Sequence, residues 1–144
     1  MTNDTMRKFN YPDSLLREYE HWVVLLRPAQ VTVGSLVLAN RGQAQRFPDL
    51  PADAFSELRE AAADLEAALS RAFGYDKMNY LMLMMVDPHV HYHVIPRYSE
   101  PVRLAGREFT DAAWPGPPDV TRSLELGPDE TRQIRERIES AWPQ

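Results

Sequence analysis

The segment Asp87-Pro88-His89-Val90-His91-Tyr92-His93-Val94-Ile95-Pro96-Arg97-Tyr98 carries three of the chain's four histidines, at every second position. Alternation of His89, His91 and His93 with Val90, Tyr92 and Val94 has the period of a β-strand. The three rings therefore share one face and the apolar side chains the other. An apolar face calls for a core behind it, and a row of imidazoles is difficult to account for by packing. Histidine is also the side chain that changes charge near neutral pH.

Reading outward from this strand, Tyr80 to Val86 is an unbroken apolar run, Tyr-Leu-Met-Leu-Met-Met-Val. Such a run predicts a strand covered on both faces. Asp87-Pro88 then predicts a tight turn, which makes the two strands antiparallel neighbours, and Pro96 ends the histidine strand. Further upstream, Pro51 and Gly74 punctuate the start and end of a long helix. Its apolar stripe is Phe55, Leu58, Ala62, Leu65, Leu69 and Phe73. Before it, His21 to Leu26 and Ser35 to Ala39 read as two strands of a hairpin with a longish loop. Leu15 to Tyr19 reads as a short helical turn, and residues 1–13 as polar and loose. Downstream, Pro96 to Pro128 is proline-rich and irregular, with Phe109 and Trp114 in need of burial. A second helix starts near Pro128, with Asp129 and Glu130 in its first turn and Ile134, Ile138 and Trp142 as its stripe. The order strand, strand, helix, strand, strand, helix predicts an α+β fold with an antiparallel sheet.

At 144 residues, 44% apolar and 26% charged, the composition is that of one globular domain over 1–144. The net charge is −5, and Lys8 and Lys77 are the only lysines. No basic cluster exists to neutralise phosphates, which argues against binding to duplex nucleic acid. Without cysteine, disulfides, thiolate metal sites and thiol nucleophiles are excluded. The polar N-terminus and the shortness of every apolar run point away from membrane insertion and export, and toward the cytoplasm.

Four chemistries compete for the histidine row. It can be structural, each ring satisfied by hydrogen bonds. It can hold a metal, since imidazoles at i and i+2 can share one ion, with Asp87 adding a carboxylate. The row is long for that: at about 3.3 Å per residue, His89 and His93 lie roughly 13 Å apart, against Zn–N bonds of about 2 Å. The expectation is no tightly bound transition metal. The row can supply a nucleophile, the middle ring exposing one nitrogen as a lone pair while its other nitrogen holds the proton in a hydrogen bond. Or it can bind a phosphate compound without turning it over.

His89-Val90-His91-Tyr92-His93-Val94-Ile95 resembles the signature of the histidine triad (HIT) family, three alternate histidines followed by two apolar residues, and Pro96-Arg97 is also common there. Gly34-Ser35-Leu36-Val37-Leu38 falls where that family has a Gly-His strand start. Arg46-Phe47-Pro48-Asp49-Leu50 leads into a helix as in family members. The resemblance covers residues 21–98, with 99–144 as a C-terminal extension, and is nearest the fragile-histidine-triad and bacterial dinucleoside-polyphosphate branch.

The resemblance implies an antiparallel sheet of about five strands with one long helix and a C-terminal helix, continued across a homodimer. It implies a nucleotide hydrolase or nucleotidyl transferase, with His91 attacking the α-phosphate and His89 and His93 supporting it. It implies no cofactor, magnesium arriving only with the substrate. Three departures stand out. The family's additional histidine is Ser35, the glycine-rich stretch before the triad is replaced by the apolar run, and a ribose-binding Asn or Asp is replaced by Arg27. Ser35, Arg27 and Asn79 are the candidate nucleotide contacts, Asn79 being equally well read as a strand-edge or turn residue. Arg97 reads as a solvated strand-end charge, and His21 as a surface histidine. The apolar run with covers on both faces independently calls for a partner subunit, unless the segment from Pro101 to Pro118 folds over it.

Overall fold

A computed structural model describes residues 2–144. The central hairpin forms as its composition requires. Strand β2 (Trp22–Leu26) and strand β3 (Leu36–Asn40) are buried throughout and pair antiparallel from Trp22↔Asn40 to Leu26↔Leu36. Continuous burial follows from apolar side chains on both faces. The loop between them turns at Gly34, whose φ is +90°. A Cβ there would sit 3.0 Å from Leu69 and 3.2 Å from Phe73, so glycine is needed for both conformation and closeness.

Helix α2 (Ala52–Phe73) begins after Pro51 and ends at Gly74, whose left-handed conformation closes the last turn onto Ser70 O. Its buried face is Ala54, Ala61, Leu65, Ala68, Leu69 and Ala72. That stripe is rotated from the expected one: Leu65 and Leu69 are shared, while Phe55 is exposed and Leu58 and Phe73 are only partly covered. Small alanines bring the helix axis close to the sheet. Trp22 lies beneath the first turn, its indole N–H satisfied by Ala54 O at 2.7 Å, as a buried polar group requires. Helix α3 (Pro128–Ala141) seals the same core with Ile134 and Ile138, followed by Trp142.

The histidine strand β5 (His91–Arg97) lies between β3 and the edge strand β4 (Lys77–Leu81). With β1 (Leu15–Glu18), the antiparallel sheet has the order β1-β2-β3-β5-β4. Pro96 does not end β5. The β3 ladder stops at Leu36↔Val94, and the Pro96 carbonyl accepts from the Thr32 hydroxyl at 2.6 Å. No β3 partner remains at Pro96 to miss its N–H. A second hairpin, β6 (Val102–Leu104) and β7 (Arg107–Phe109), buries Phe109, while Trp114 is half-buried.

The segment before β2 departs from expectation. Leu15 to Glu18 is β1 rather than a helical turn. Residues 2–13 are not loose: Asp4–Lys8 is helix α1, capped by the Asn3 side chain at Met6 N (2.9 Å). Met1 lies outside the described residues. Met6 and Phe9 pack with Val23, Leu25, Val37 and Ala39 on the sheet face opposite α2. Burial of such side chains is worth about 1.5–3 kcal/mol each, enough to order a short helix that would not form alone.

The apolar run also departs. It supplies a strand only to Leu81, and residues 82–90 are an irregular connection in place of a tight turn. Leu83, Met85 and Val86 are exposed, Met85 at 81% and Val86 at 85%. Continuous apolarity cannot separate a doubly covered strand from a strand followed by an apolar loop. Among the described residues, no helix is long and apolar enough to cross a membrane.

Candidate active site

His91 and His93 stand on β5 opposite Ala39 and Val37 of β3. His89 lies just before the strand and reaches the same side, against α1. All three are buried, His91 completely. The His91 and His93 rings meet edge to face at 5.1 Å between centroids.

The hydrogen bonds fix where protons sit. His91 Nδ1 is 2.7 Å from the His89 carbonyl. A carbonyl only accepts, so in the neutral ring Nδ1 carries the proton and Nε2 a lone pair. Nε2 is buried and has no hydrogen-bond partner among the described residues. His93 Nδ1 accepts from Arg27 Nε at 3.3 Å. Burial, then the nearby positive charge of Arg27, pushes the His93 ring down to about 4. At neutral pH it is uncharged. His89 Nδ1 faces the Thr5 hydroxyl at 3.0 Å, and the same oxygen accepts from His89 N at 3.2 Å.

Helix α1 forms the roof of this site. Phe9 packs against His91 and His93 at centroid separations of 5.7 and 5.5 Å. Asn3 Nδ2 donates to Asn40 O at 2.9 Å and Gly42 O at 2.7 Å. Lys8 reaches Asp87 at 3.5 Å. A cleft opens beside the roof, lined by His93, Phe9 and Arg27 together with Leu83, Met85 and Val86.

Of the residues expected at the site, the structure brings His89, His91, His93 and Arg27 together. Ser35 and Asn79 are engaged elsewhere. The Ser35 hydroxyl donates to Thr32 O at 2.8 Å and accepts from Thr32 N at 3.0 Å within the β2–β3 loop. Asn79 Oδ1 accepts from Arg97 Nη1 at 2.9 Å. Arg97 is not a solvated charge. It is buried in a two-pronged pair with Asp111, at 2.7 and 3.2 Å, which ties β5 to the C-terminal segment. His21 is half-buried, and its backbone N–H donates to Glu57 at 2.6 Å. Glu20, His21 and Glu57 bring three ligand atoms within 4.8 Å of one another, but one Glu57 oxygen already accepts from two backbone N–H groups. The sequence reading missed Thr5, Lys8 and Phe9. The available signal was Asn3 as a helix cap, followed by Met6 and Phe9 at a three-residue spacing.

An antiparallel sheet backed by helices thus carries alternate histidines at and just before the start of one central strand, with the middle ring held by the carbonyl of the first. The chain belongs to the HIT domain family, which it matches over residues 8–100. No curated protein matches it by sequence. Among solved structures, a histidine triad protein from Marinobacter aquaeolei is similar over 99% of this chain and 95% of its own, at 21% identity and a TM-score of 0.75. One from Sinorhizobium meliloti is similar over 98% and 96%, at 18% identity and a TM-score of 0.75. A hypothetical histidine triad nucleotide-binding protein from Sulfolobus tokodaii is similar over 88% and 84%, at 18% identity and a TM-score of 0.65. At these identities the likeness is one of fold.

Proposed function

We propose that the protein is a nucleotide hydrolase or nucleotidyl transferase that works through a covalent nucleotidyl-His91. The observation that carries this reading is the 2.7 Å contact from His91 Nδ1 to the His89 carbonyl, with Nε2 left as a lone pair that has no partner among the described residues. A buried polar atom without a partner costs roughly 1–3 kcal/mol, which is reason to look for a use. In the first step Nε2 attacks the α-phosphorus. A P–N bond forms and the bond to the leaving group breaks, the leaving group taking the electron pair and then a proton from solvent. In the second, water attacks the same phosphorus, the P–N bond breaks, and a nucleoside monophosphate departs, the proton of water passing to solvent. Splitting one displacement into two is what a covalent nucleophile contributes. Magnesium, where present, arrives with the substrate, and no metal takes part at the nucleophile.

Access requires Phe9 and the end of α1 to move aside, because His91 is fully covered. That coverage is the observation favouring the second reading, a nucleotide-binding module without turnover. Mass spectrometry after mixing with a nucleoside phosphoramidate, an adenylated acid or a dinucleoside polyphosphate separates the two. The expected result is a nucleotidyl adduct on the peptide carrying His91, with turnover falling by several powers of ten in His91→Ala while the fold is kept. Binding of all three compounds without adduct or product would establish the second reading instead.

A further inference from the structure

We propose that Arg27 is a positioning residue, acting through His93: it holds that ring neutral with the proton on Nε2, so that His93 gives the phosphoryl group a hydrogen bond and never a second positive charge. This inference rests on the reading of His91 as nucleophile.

Arg27 directly follows β2, and its backbone is fixed on both sides. Its N–H donates to Ser35 O at 3.0 Å, and its carbonyl accepts from the Gln30 amide at 2.7 Å. The guanidinium is also committed. Nε donates to His93 Nδ1 at 3.3 Å, Nη2 to Val120 O at 3.3 Å, and Nη1 to Ala29 O. A side chain with its donors spent in three directions is poorly placed to grip a phosphate as a two-pronged fork. It is well placed to dictate a tautomer. Guanidinium has only donors and stays protonated, so the nitrogen it meets on His93 must be a lone pair, and the imidazole proton must sit on Nε2.

The surroundings of His93 favour the uncharged ring. On β5 its neighbour is His91 at 5.1 Å. At the C-terminal cap of α1 it meets Phe9, and Lys8 lines the same cleft. Across the ladders lie Val37 of β3 and Leu81 of β4. Asp87, in the β4–β5 connection, is a carboxylate that draws a proton toward the ring, and it is paired with Lys8. Burial, Arg27 and His91 oppose protonation, and the ring is pushed down to about 4.

The chemistry explains why that matters. When His91 Nε2 bonds to phosphorus, its ring keeps the proton on Nδ1 and becomes cationic. A protonated His93 one edge-to-face contact away would oppose that charge in a site shielded from water. A neutral His93 with Nε2–H does not, and still donates to an oxygen on which negative charge develops. Arg27 supplies a fixed positive charge one ring further out.

The experiment is imidazole nitrogen NMR on the full chain, with His93 assigned by comparison with His93→Gln. In the wild type, His93 is expected as the Nε2–H tautomer, titrating well below 6. In Arg27→Gln, its midpoint rises above the wild-type value, held short of the ordinary histidine range by the burial that remains, and the tautomers mix; Arg27→Lys, which keeps a cationic donor, brings the midpoint back down. On a nucleoside phosphoramidate, kcat/KM of the glutamine variant is measured relative to wild type between pH 7.5 and 5.5. The ratio of glutamine variant to wild type is expected to fall toward the lower pH, by the fraction of His93 that its raised midpoint leaves protonated. A wild-type His93 that titrates near 6.5 or carries its proton on Nδ1 overturns the inference without any variant. So does a folded Arg27→Gln with an unchanged His93. If no substrate turns over in any form, the reading of His91 fails, while the resonance of His93 still decides the role of Arg27.

Discussion

His93 links the site to stability. Its folded-state value near 4 lies below the ordinary histidine value. As pH falls, the unfolded chain therefore takes up the proton first. The folded state is at no disadvantage above about pH 6.5 and loses stability progressively between 6.5 and 4. Solvent screening keeps the loss below the ~3 kcal/mol of a fully buried group. Urea unfolding at pH 7.5 and 4.5 should show the difference, and His93→Gln should reduce it. An identical slope in the variant would mean that another group is responsible. Arg97 tells a different story at the same scale. In sequence it is a charge at a strand end, and its partner Asp111 lies 14 positions away in an irregular segment. No periodicity connects them, so the buried pair was not legible. Asp111→Asn leaves a guanidinium buried without its counter-charge and should cost about 3–5 kcal/mol, measured by chemical denaturation.

Element by element, legibility followed length and repetition. Helix α2 has 22 residues, and its punctuation by Pro51 and Gly74 marked both ends, although its alanine-lined face shifted the stripe. The strands holding Val23–Leu25 and His91–His93 were marked by β-branched residues and alternation. Helix α1 has five residues, too few for a periodic signal, and owes its order to tertiary contacts. Yet it governs access to the nucleophile. Phe9→Ala should uncover His91 at a stability cost of about 3 kcal/mol, the low end for deleting a buried phenyl ring. Diethyl pyrocarbonate labelling, read on the peptide carrying His91, should run at least tenfold faster in the variant than in the wild type. Equal rates would show that α1 is already open in solution. The β4–β5 connection was misread for a physical reason. Seven apolar residues in succession satisfy a covered strand, and only the register, ending at Leu81↔His93, shows that the ladder stops early.

At the scale of the whole molecule, the expected need for a partner loses its first premise, because the run from Tyr80 to Val86 is not a strand with two covered faces. The sheet face opposite α2 is closed by α1, within the same chain. A different argument for association replaces it. Among the described residues, β4 is an edge strand with β5 as its sheet neighbour. Tyr80 on that strand is exposed, and Leu83, Met85 and Val86 continue the apolar surface into the following loop. An open edge beside exposed large apolar side chains is a combination that monomeric proteins usually block with charge or proline. A two-fold axis beside β4 would bring two such edges together in one self-complementary contact. It would also place two copies of the loop, part of the lining of each cleft, near the interface. Light scattering at micromolar concentration is expected to give twice the chain mass of 16.6 kDa. Met85→Asp combined with Val86→Asp places like charges on both sides of the axis and should shift the mass toward 16.6 kDa. The far-ultraviolet spectrum should stay unchanged, since neither side chain supports the core. A wild-type mass of one chain that persists on concentration would leave the apolar loop without a partner copy and end this expectation.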